Sequence, residues 1–360
     1  MKVVIEIPNH DLRLAQSMAQ KWEAVGMDGV ITRENSHGAF IPLAAAALTT
    51  ERVELATGVA IAFPRSPYIA AMDSWSVHTA SGGRFNLGLG PQIKQHNERR
   101  FGIPWSPPVP RLRDYVGAVR ALWRCWETKE PLNYISDTYQ MTLMTPHFMP
   151  EPNDFRPPPI SIGAVGPAML RLGGEVGDGV RLHPFHTRKY LEEHVTPRIH
   201  EGLRRANRDR SELKIVADTL IATGPDEESV MKARAWVRFR IAFYCSTPAY
   251  WPVLEAHGLQ DFGHKLIEYP RANRWDEMAE QIPEELIDLF AVSCTWDTIA
   301  EGIEQRYGGL LDAVGLPYRP DANPGDETRL SAAIEEIHRI PTPFREYRDP
   351  YAWPEPKLGA

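Results

Sequence analysis

Short runs of β-branched residues alternate with helical stripes of apolar residues along most of this chain. The run Val3–Ile7 ends at Pro8, and apolar residues from Leu12 to Trp22 then recur at helical spacing. Further strand candidates lie at 28–32, 53–63, 84–89, 160–162, 179–182, 213–222 and 312–316. Strands that are each followed by a helix pair in parallel through right-handed crossovers. About eight such units predict a closed (β/α)8 TIM barrel. An open doubly wound sheet is the alternative, which the lack of G-x-G-x-x-G after the first strand disfavours.

Two stretches interrupt the alternation. Prolines and polar residues from about 131 to 159 predict a long loop, with a small hairpin around Tyr134 to Tyr139. A second irregular stretch extends from about 246 to 285. We therefore predict one barrel domain over residues 1–360 with loop insertions at about 131–159 and 246–285. Insertions of this kind commonly cover a pocket.

Composition and charge exclude several functional classes. The 360 residues are 43% hydrophobic, which is ample for a large core, and the net charge of −7 disfavours a nucleic-acid partner. The three cysteines are far apart and outside any C-x-x-C pattern, which predicts neither a metal site nor disulfides. The apolar run at the N-terminus is too short for a signal peptide, and no segment reaches the roughly 18 apolar residues of a membrane span. We expect a cytoplasmic protein that makes no membrane contact.

The candidate chemistry lies where strands end, because the active sites of (β/α)8 barrels lie at the C-terminal mouth. His37 and His183 follow strands two and six, and an imidazole can exchange a proton near neutral pH. Hydrogen-bonded structural histidines are the alternative. Glu34 follows strand two as a possible base or a solvated loop residue. The small residues from Gly163 to Gly166 precede a helix, which indicates either a phosphate site or an ordinary tight turn.

Several motifs resemble the luciferase-like monooxygenase superfamily, and within it the branch that depends on the deazaflavin coenzyme F420. The entry into the fourth strand reads S-G-G-R-F from Ser81 to Phe85, and the turn from Gly174 to Gly179 reads G-E-V-G-D-G. Similar stretches occur at 49–59, 65–67, 98–101 and 158–166. The resemblance therefore covers most of the chain and implies the same barrel fold.

The resemblance also implies a set of cofactor contacts. A cis peptide between Gly58 and Val59 would press against the flavin ring, and Gly90 and Gln92 would meet the polar edge of the ring. The phosphate-binding residues would be Gly163, Ala164, Val165 and Gly166, with help from Thr187 and Arg188. Two departures from the family pattern stand out: His37 is followed by Gly38-Ala39-Phe40 in place of Asp-Pro-Phe, and Pro91 removes one N–H donor from the ring-edge loop.

The function implied by the resemblance is F420-dependent hydride transfer between deazaflavin C5 and a small organic substrate. His37 supported by Glu34 is the first candidate for the proton-exchanging group, and His183 is the second. An FMN-dependent monooxygenase of the same fold is the alternative, and a non-catalytic flavin-binding protein is an alternative of another class. The resemblance further implies a homodimer, while Trp75, Trp123 and Trp126 are predicted to lie in the core.

Overall fold

The computed structural model describes residues 1–317 and 327–349, and its centre is a closed parallel barrel. Each short β-branched run forms a strand whose side chains alternate between the barrel interior and the helices outside. The barrel strands are β1 (Lys2–Glu6), β2 (Gly29–Thr32), β3 (Glu54–Thr57), β4 (Phe85–Gly90), β5 (Ile160–Ala164), β6 (Gly179–Leu182), β7 (Lys214–Asp218) and β8 (Ala313–Leu316).

The strand order shows how the barrel closes. The parallel neighbours run β3-β2-β1-β8-β7-β6-β5-β4, and β3 also pairs with β4 through Leu55 opposite Phe85. All these pairings are parallel, so every strand ends at the same mouth. The predicted (β/α)8 fold is therefore confirmed, and the open sheet is excluded.

Sixteen α-helices lie around the barrel and in the insertions within the described residues. Asp11, Ser66 and Asp226 each cap a helix by accepting backbone N–H bonds, and Gly26 ends the first helix at φ +105°. Arg188–Tyr190 and Thr196–Arg205 are joined by a π-helical turn, Leu191–Val195. The helices are α1 (Leu12–Val25), α2 (Phe40–Ala47), α3 (Pro67–Ala80), α4 (Lys94–Arg99), α5 (Pro108–Thr128), α6 (Pro167–Val176), α7 (Arg188–Tyr190), α8 (Thr196–Arg205), α9 (Glu227–Cys245), α10 (Trp251–Glu255), α11 (Gln260–Leu266), α12 (Glu268–Arg271), α13 (Trp275–Glu280), α14 (Glu284–Phe290), α15 (Ile299–Tyr307) and α16 (Glu327–His338).

The layer between barrel and helices holds the largest side chains. Trp123 and Trp126 on α5 are fully buried, and Trp75 on α3 packs edge-on against Trp126. The Trp123 indole N–H donates to the Ala71 carbonyl at 3.1 Å, which satisfies its polar atom inside the core. These tryptophans are core residues, as predicted. Within the described residues, no helix is both long and apolar enough to span a bilayer.

Two predicted strands are each divided in the structure. The run 53–63 forms β3 and then the short strand Ala60–Ile61, with the Gly58–Val59 bond between them. The run 213–222 forms β7 and a separate strand, Ile221–Gly224, which pairs in parallel with Val292–Thr295 outside the barrel. Continuous apolar character cannot mark where a chain leaves one sheet for another, since both segments are buried.

The two insertions differ in character. The first contains the predicted hairpin, formed by Tyr134–Ile135 and Gln140–Met141. The second is not an irregular loop as predicted, because it contains the four short helices α10 to α13. These helices are four to seven residues long, and Gly258 separates the first two. Helices this short show no sustained period in the sequence.

Candidate active site at the barrel mouth

The tips of β3, β4 and β5 meet around the side chain of Val59. The peptide bond between Gly58 and Val59 is cis, at the position that the resemblance implies. A Cβ built on Gly90 would lie 2.6 Å from Val59 Cγ2, and one built on Gly163 would lie 3.1 Å from Val59 Cγ1. The first distance is too short for any side chain at Gly90 without movement of Val59. The structure thus brings together four predicted cofactor-binding residues from three strand tips.

Glu34, just after β2, holds the segment that follows β3. Its backbone N–H donates to the Val59 carbonyl at 3.4 Å. Its carboxylate accepts bonds from the Ile61 N–H at 2.6 Å and from the Arg65 guanidinium at 2.7 and 2.5 Å. Because both oxygens are engaged, Glu34 links β2 to this segment. The sequence pairs Glu34 with His37, whereas its side-chain bonds within the described residues go to Ile61 and Arg65.

The loop after β4, predicted to meet the cofactor ring, is fixed by the buried side chain of Asn97. Asn97 Nδ2 donates to the carbonyls of Pro91 and Ile93 at 3.0 and 3.2 Å. Gln92 adopts a φ of +60°, and its side-chain oxygen accepts the Ile93 N–H at 2.9 Å. Asn97 therefore positions the ring-edge loop. Sequence reasoning missed it because an asparagine within a short helix carries no distinctive pattern.

The predicted phosphate loop is open at the start of α6. Ala164 is buried at the end of β5, whereas Val165 and Gly166 are exposed. Gly166 caps α6 without a side-chain hydrogen bond, and Pro167 occupies the first turn. The cap supplies no side-chain acceptor for the N–H groups of the first turn, so these can donate to an anion.

Thr187 contacts the second insertion, and Arg188 contacts helix α15. Thr187 Oγ1 lies 2.8 Å from His257 Nε2, and Arg188 donates to the Gln305 carbonyl at 2.9 Å. Their hydrogen bonds within the described residues do not reach the loop at 163–166, so their role in phosphate binding stays a prediction. Both line a cavity of about 630 Å³, together with Lys189, His257, Ser293 and Arg306.

His37 lies exposed between β2 and α2. Its ring centroid is 6.5 Å from that of His10, with the planes tilted by 50°. The loop returns to β2 through Thr32 Oγ1, which donates to the Ala39 carbonyl at 2.6 Å. His37 is therefore solvated and lies apart from the Glu34 carboxylate contacts, and its acid–base role stays a prediction.

His183, after β6, lies in an aromatic environment. Its ring stacks on Tyr250 at 4.1 Å and meets Tyr244 edge-on at 4.6 Å. Burial, with help from nearby cations, lowers the pKa of His183 to about 3. Its Nδ1 accepts the Phe185 N–H at 3.2 Å, which places the proton of the neutral ring on Nε2. His183 is thus suited to donate a hydrogen bond and poorly suited to exchange protons at neutral pH.

An ionic network at the mouth joins the ends of β1, β2 and β7. Arg33 contacts the Glu6 carboxylate and donates to Asp218 Oδ2 at 2.8 Å. Burial raises the pKa of Glu6, although Arg33 opposes the shift. A carboxyl group that keeps its proton to higher pH is suited to proton exchange with a substrate. Sequence reasoning missed Glu6 and Asp218, yet each is the charged residue at the mouth end of an apolar strand.

These features define a (β/α)8 barrel with its candidate active site at the C-terminal mouth. The family model described as luciferase-like monooxygenase matches residues 4–313. The chain belongs to the luciferase-like monooxygenase family. A Mycobacterium tuberculosis protein described as uncharacterized is 40% identical over 339 residues, covering 94% of this chain and 98% of its own. The 5,10-methylenetetrahydromethanopterin reductase of Archaeoglobus fulgidus is 31% identical over 296 residues, covering 80% of this chain and 84% of its own.

Solved structures share the fold. The coenzyme F420 dependent tetrahydromethanopterin reductase from Methanopyrus kandleri has a TM-score of 0.74 at 22% identity, covering 94% of this chain and 97% of its own. The oxygenating constituent of 3,6-diketocamphane monooxygenase from Pseudomonas putida, in complex with FMN, has a TM-score of 0.66 at 16% identity, covering 94% and 97%. The same barrel therefore occurs in proteins described with either cofactor.

Proposed function

We propose that this protein is a coenzyme F420-dependent oxidoreductase that transfers a hydride between C5 of the deazaflavin and a small organic substrate of the alcohol, carbonyl, imine or alkene type. The observation that carries the proposal is the convergence of Val59 with Gly90 and Gly163 at the mouth. The two glycine strand tips accommodate the Val59 side chain, so they fix the Gly58–Val59 peptide at the mouth, where a planar ring would pack against it. The likeness to the Archaeoglobus fulgidus and Methanopyrus kandleri reductases supports the deazaflavin.

The residues at the mouth fit such a cofactor. Gly58 and Val59 would contact the face of the ring, and Gly90 and Gln92 would contact its polar edge. The phosphate would bind at the uncapped start of α6, in the loop at 163–166, because N–H groups there favour an anion. When bound, the deazaflavin supplies C5 as hydride donor or acceptor.

A substrate oxygen must lose or gain a proton as the hydride moves, and Glu6 is the first candidate for this exchange. Its half-buried carboxyl lies beside Arg33, and burial raises its pKa. His37 is the second candidate, since its imidazole is exposed between β2 and α2. His183 would act as a hydrogen-bond donor that orients the substrate, because burial keeps its ring neutral.

The alternative is an FMN-dependent monooxygenase, which the likeness to the FMN complex of the 3,6-diketocamphane monooxygenase constituent favours. Both readings use the same mouth and the same phosphate loop. The two proposed reactions differ in their use of molecular oxygen. Hydride transfer to or from F420 does not consume oxygen, whereas a monooxygenase consumes oxygen together with reduced FMN.

A titration of the purified protein with each cofactor tests the proposal. We expect tight binding of coenzyme F420, seen as a change in its visible absorption, and reduction of the bound cofactor by an alcohol from a substrate panel. Tight binding of reduced FMN with oxygen uptake would instead support the monooxygenase. Cofactor binding with neither substrate turnover nor oxygen uptake would indicate a non-catalytic flavin-binding protein.

We also propose that the protein forms a homodimer through α1, α2 and α3. Apolar side chains on and beside these neighbouring helices face solvent, including Leu12 (44% exposed), Ile41 (65%), Leu48 (73%) and Ile69 (42%). Exposed apolar surface of this kind marks interaction sites. Sedimentation should show a dimer that dissociates in the double variant I41E and L48E, and a wild-type monomer would refute the proposal.

A further inference from the structure

Arg181 crosses the interior of the barrel just below the mouth. On β6, Val180 faces outward against α6, so the next residue points inward. The aliphatic part of Arg181 lies against Gly88, where a Cβ would be 3.4 Å from Arg181 Cδ. Its Nη1 lies 3.5 Å from the position of a Cβ on Gly58. The guanidinium is therefore adjacent to the peptide assigned to the cofactor ring.

This guanidinium has no partner within the described residues. The residue is only 7% exposed, and its Nε is buried without a hydrogen bond. No hydrogen bond or ion pair joins its other N–H groups to residues 1–317 or 327–349. The two carboxylates that attract it are engaged elsewhere, Asp218 with Arg33 and Glu54 with Lys214. A buried Nε without a hydrogen-bond partner is a costly feature for a folded protein.

Arg120 is a second buried arginine in the same fold, and its hydrogen bonds can be compared with those of Arg181. Arg120 is 8% exposed, and its guanidinium donates to Asp178 Oδ2 and to the Val176 carbonyl, each at 2.8 Å. The two arginines are therefore similarly buried, but Arg120 is paired and the Nε of Arg181 is not.

We propose that the Arg181 guanidinium interacts with negative charge on the bound cofactor ring and stabilises the reduced form of the cofactor relative to the oxidised form. The inference rests on the proposed function. When an alcohol is oxidised, its C–H bond breaks and the hydride forms a new C–H bond at C5. The O–H proton passes to an acceptor in the mouth, and the added negative charge is left on the N1–C2=O edge of the ring. A cation beside Gly58 favours that charge.

The midpoint potential of the bound cofactor tests the proposal directly. We expect R181M to weaken the preference for reduced over oxidised cofactor about tenfold, which lowers a two-electron potential by about 30 mV. R181K keeps the charge and should recover most of the shift. An unchanged potential in R181M would overturn the inference while leaving the proposed function intact. A wild-type protein that binds neither coenzyme F420 nor FMN would overturn both.

Thermal melting of the cofactor-free variants gives an independent readout. R181M should melt at or above the wild-type temperature, because it removes an unpartnered buried cation and leaves both nearby carboxylates paired. The matched control R120M should melt well below wild type, because it leaves Asp178 buried without its cation. If R181M lost as much stability as R120M, Arg181 would be a structural residue and the proposal would be overturned.

Discussion

The two ends of the barrel differ in how completely their charged side chains are paired. Near the N-terminal ends of the strands, the ionic side chains are held in close pairs. The C-terminal mouth also holds close pairs, Arg33 with Asp218 and Arg65 with Glu34, but beside them Arg181 has no hydrogen bond or ion pair among the described residues. Burial there raises the pKa of Glu6 and lowers that of His183. The pairs near the N-terminal ends are Lys2 with Asp28 at 2.6 Å, Arg210 with Asp312 at 2.7 Å, Arg120 with Asp178 at 2.8 Å and Lys214 with Glu54 at 3.0 Å.

This difference indicates that charged residues at one end of the barrel mainly stabilise the fold, whereas some of those at the other end interact with a ligand. A paired buried charge contributes to a single rigid structure, whereas an unpaired or shifted group is maintained where a ligand will interact with it. The same division holds in (β/α)8 barrels generally, whose chemistry lies at the mouth. Variants at the two ends should therefore affect different measurements.

The largest effect is expected near the N-terminal ends, from Asp178→Asn. Its carboxylate accepts bonds from Arg120 and from the Ile160 N–H, each at 2.8 Å, and both groups are buried. Loss of the charge leaves a buried guanidinium without its anion, which should reduce the free energy of unfolding by about 3 to 5 kcal/mol. Urea unfolding measures this loss. Turnover per folded molecule should be unchanged, and a selective loss of turnover at wild-type stability would contradict the comparison.

At the mouth, Glu6→Gln should have the opposite profile. The amide keeps the shape but cannot exchange a proton, so single-turnover hydride transfer should slow by roughly 10²- to 10⁴-fold. Stability should change little. His37→Ala serves as the comparison variant and should slow the same step less. If hydride transfer were slower in His37→Ala than in Glu6→Gln, His37 would be the proton-exchanging residue instead of Glu6.

Gly90→Ala tests the space around Val59. The added Cβ would lie 2.6 Å from Val59 Cγ2, and the movement this forces should weaken cofactor binding by about 1 to 3 kcal/mol. Isothermal titration measures the affinity. Gly38→Ala is the matched control, because a Cβ there has no neighbour within 4 Å. Equal affinities for the two variants would mean that Gly90 does not border the cofactor.

The smallest effect concerns His186, just after β6. Burial lowers its pKa to about 4, so the folded protein excludes a proton that the unfolded chain binds below about pH 6.5. Stability due to the neutral ring is therefore present above pH 6.5 and is lost as the pH falls towards 4, by at most about 1.4 kcal/mol per pH unit. Denaturant unfolding at pH 6 and pH 5 should show this slope. The slope should be smaller in His186→Phe, and an equal slope would assign the effect to other groups.

The sequence predicts the architecture well and the polar interior poorly. Strand and helix periods are local signals, and the structure confirms them. Motif resemblance indicated Gly58 and Val59, whereas Gly90 and Gly163 also follow from the rule that barrel sites lie where strands end. Glu6 and Arg181 lie within strands and were not singled out, since pairing across a barrel depends on strands far apart in sequence.

The same limit explains Glu34. Its position after β2 could be predicted, but its partner Arg65 lies beyond the next strand, and only the closed barrel brings the two side chains together. Likewise, short helices such as α12 and α13 carry too few residues to show a period.

The most direct test of a ligand-dependent mouth is a crystal structure with coenzyme F420 bound. We expect the ring against Gly58–Val59 with Arg181 near its charged edge, and the phosphate at the start of α6. A ring bound instead in the cavity beside Thr187 and Arg188, or at the opposite end of the barrel, would contradict the account.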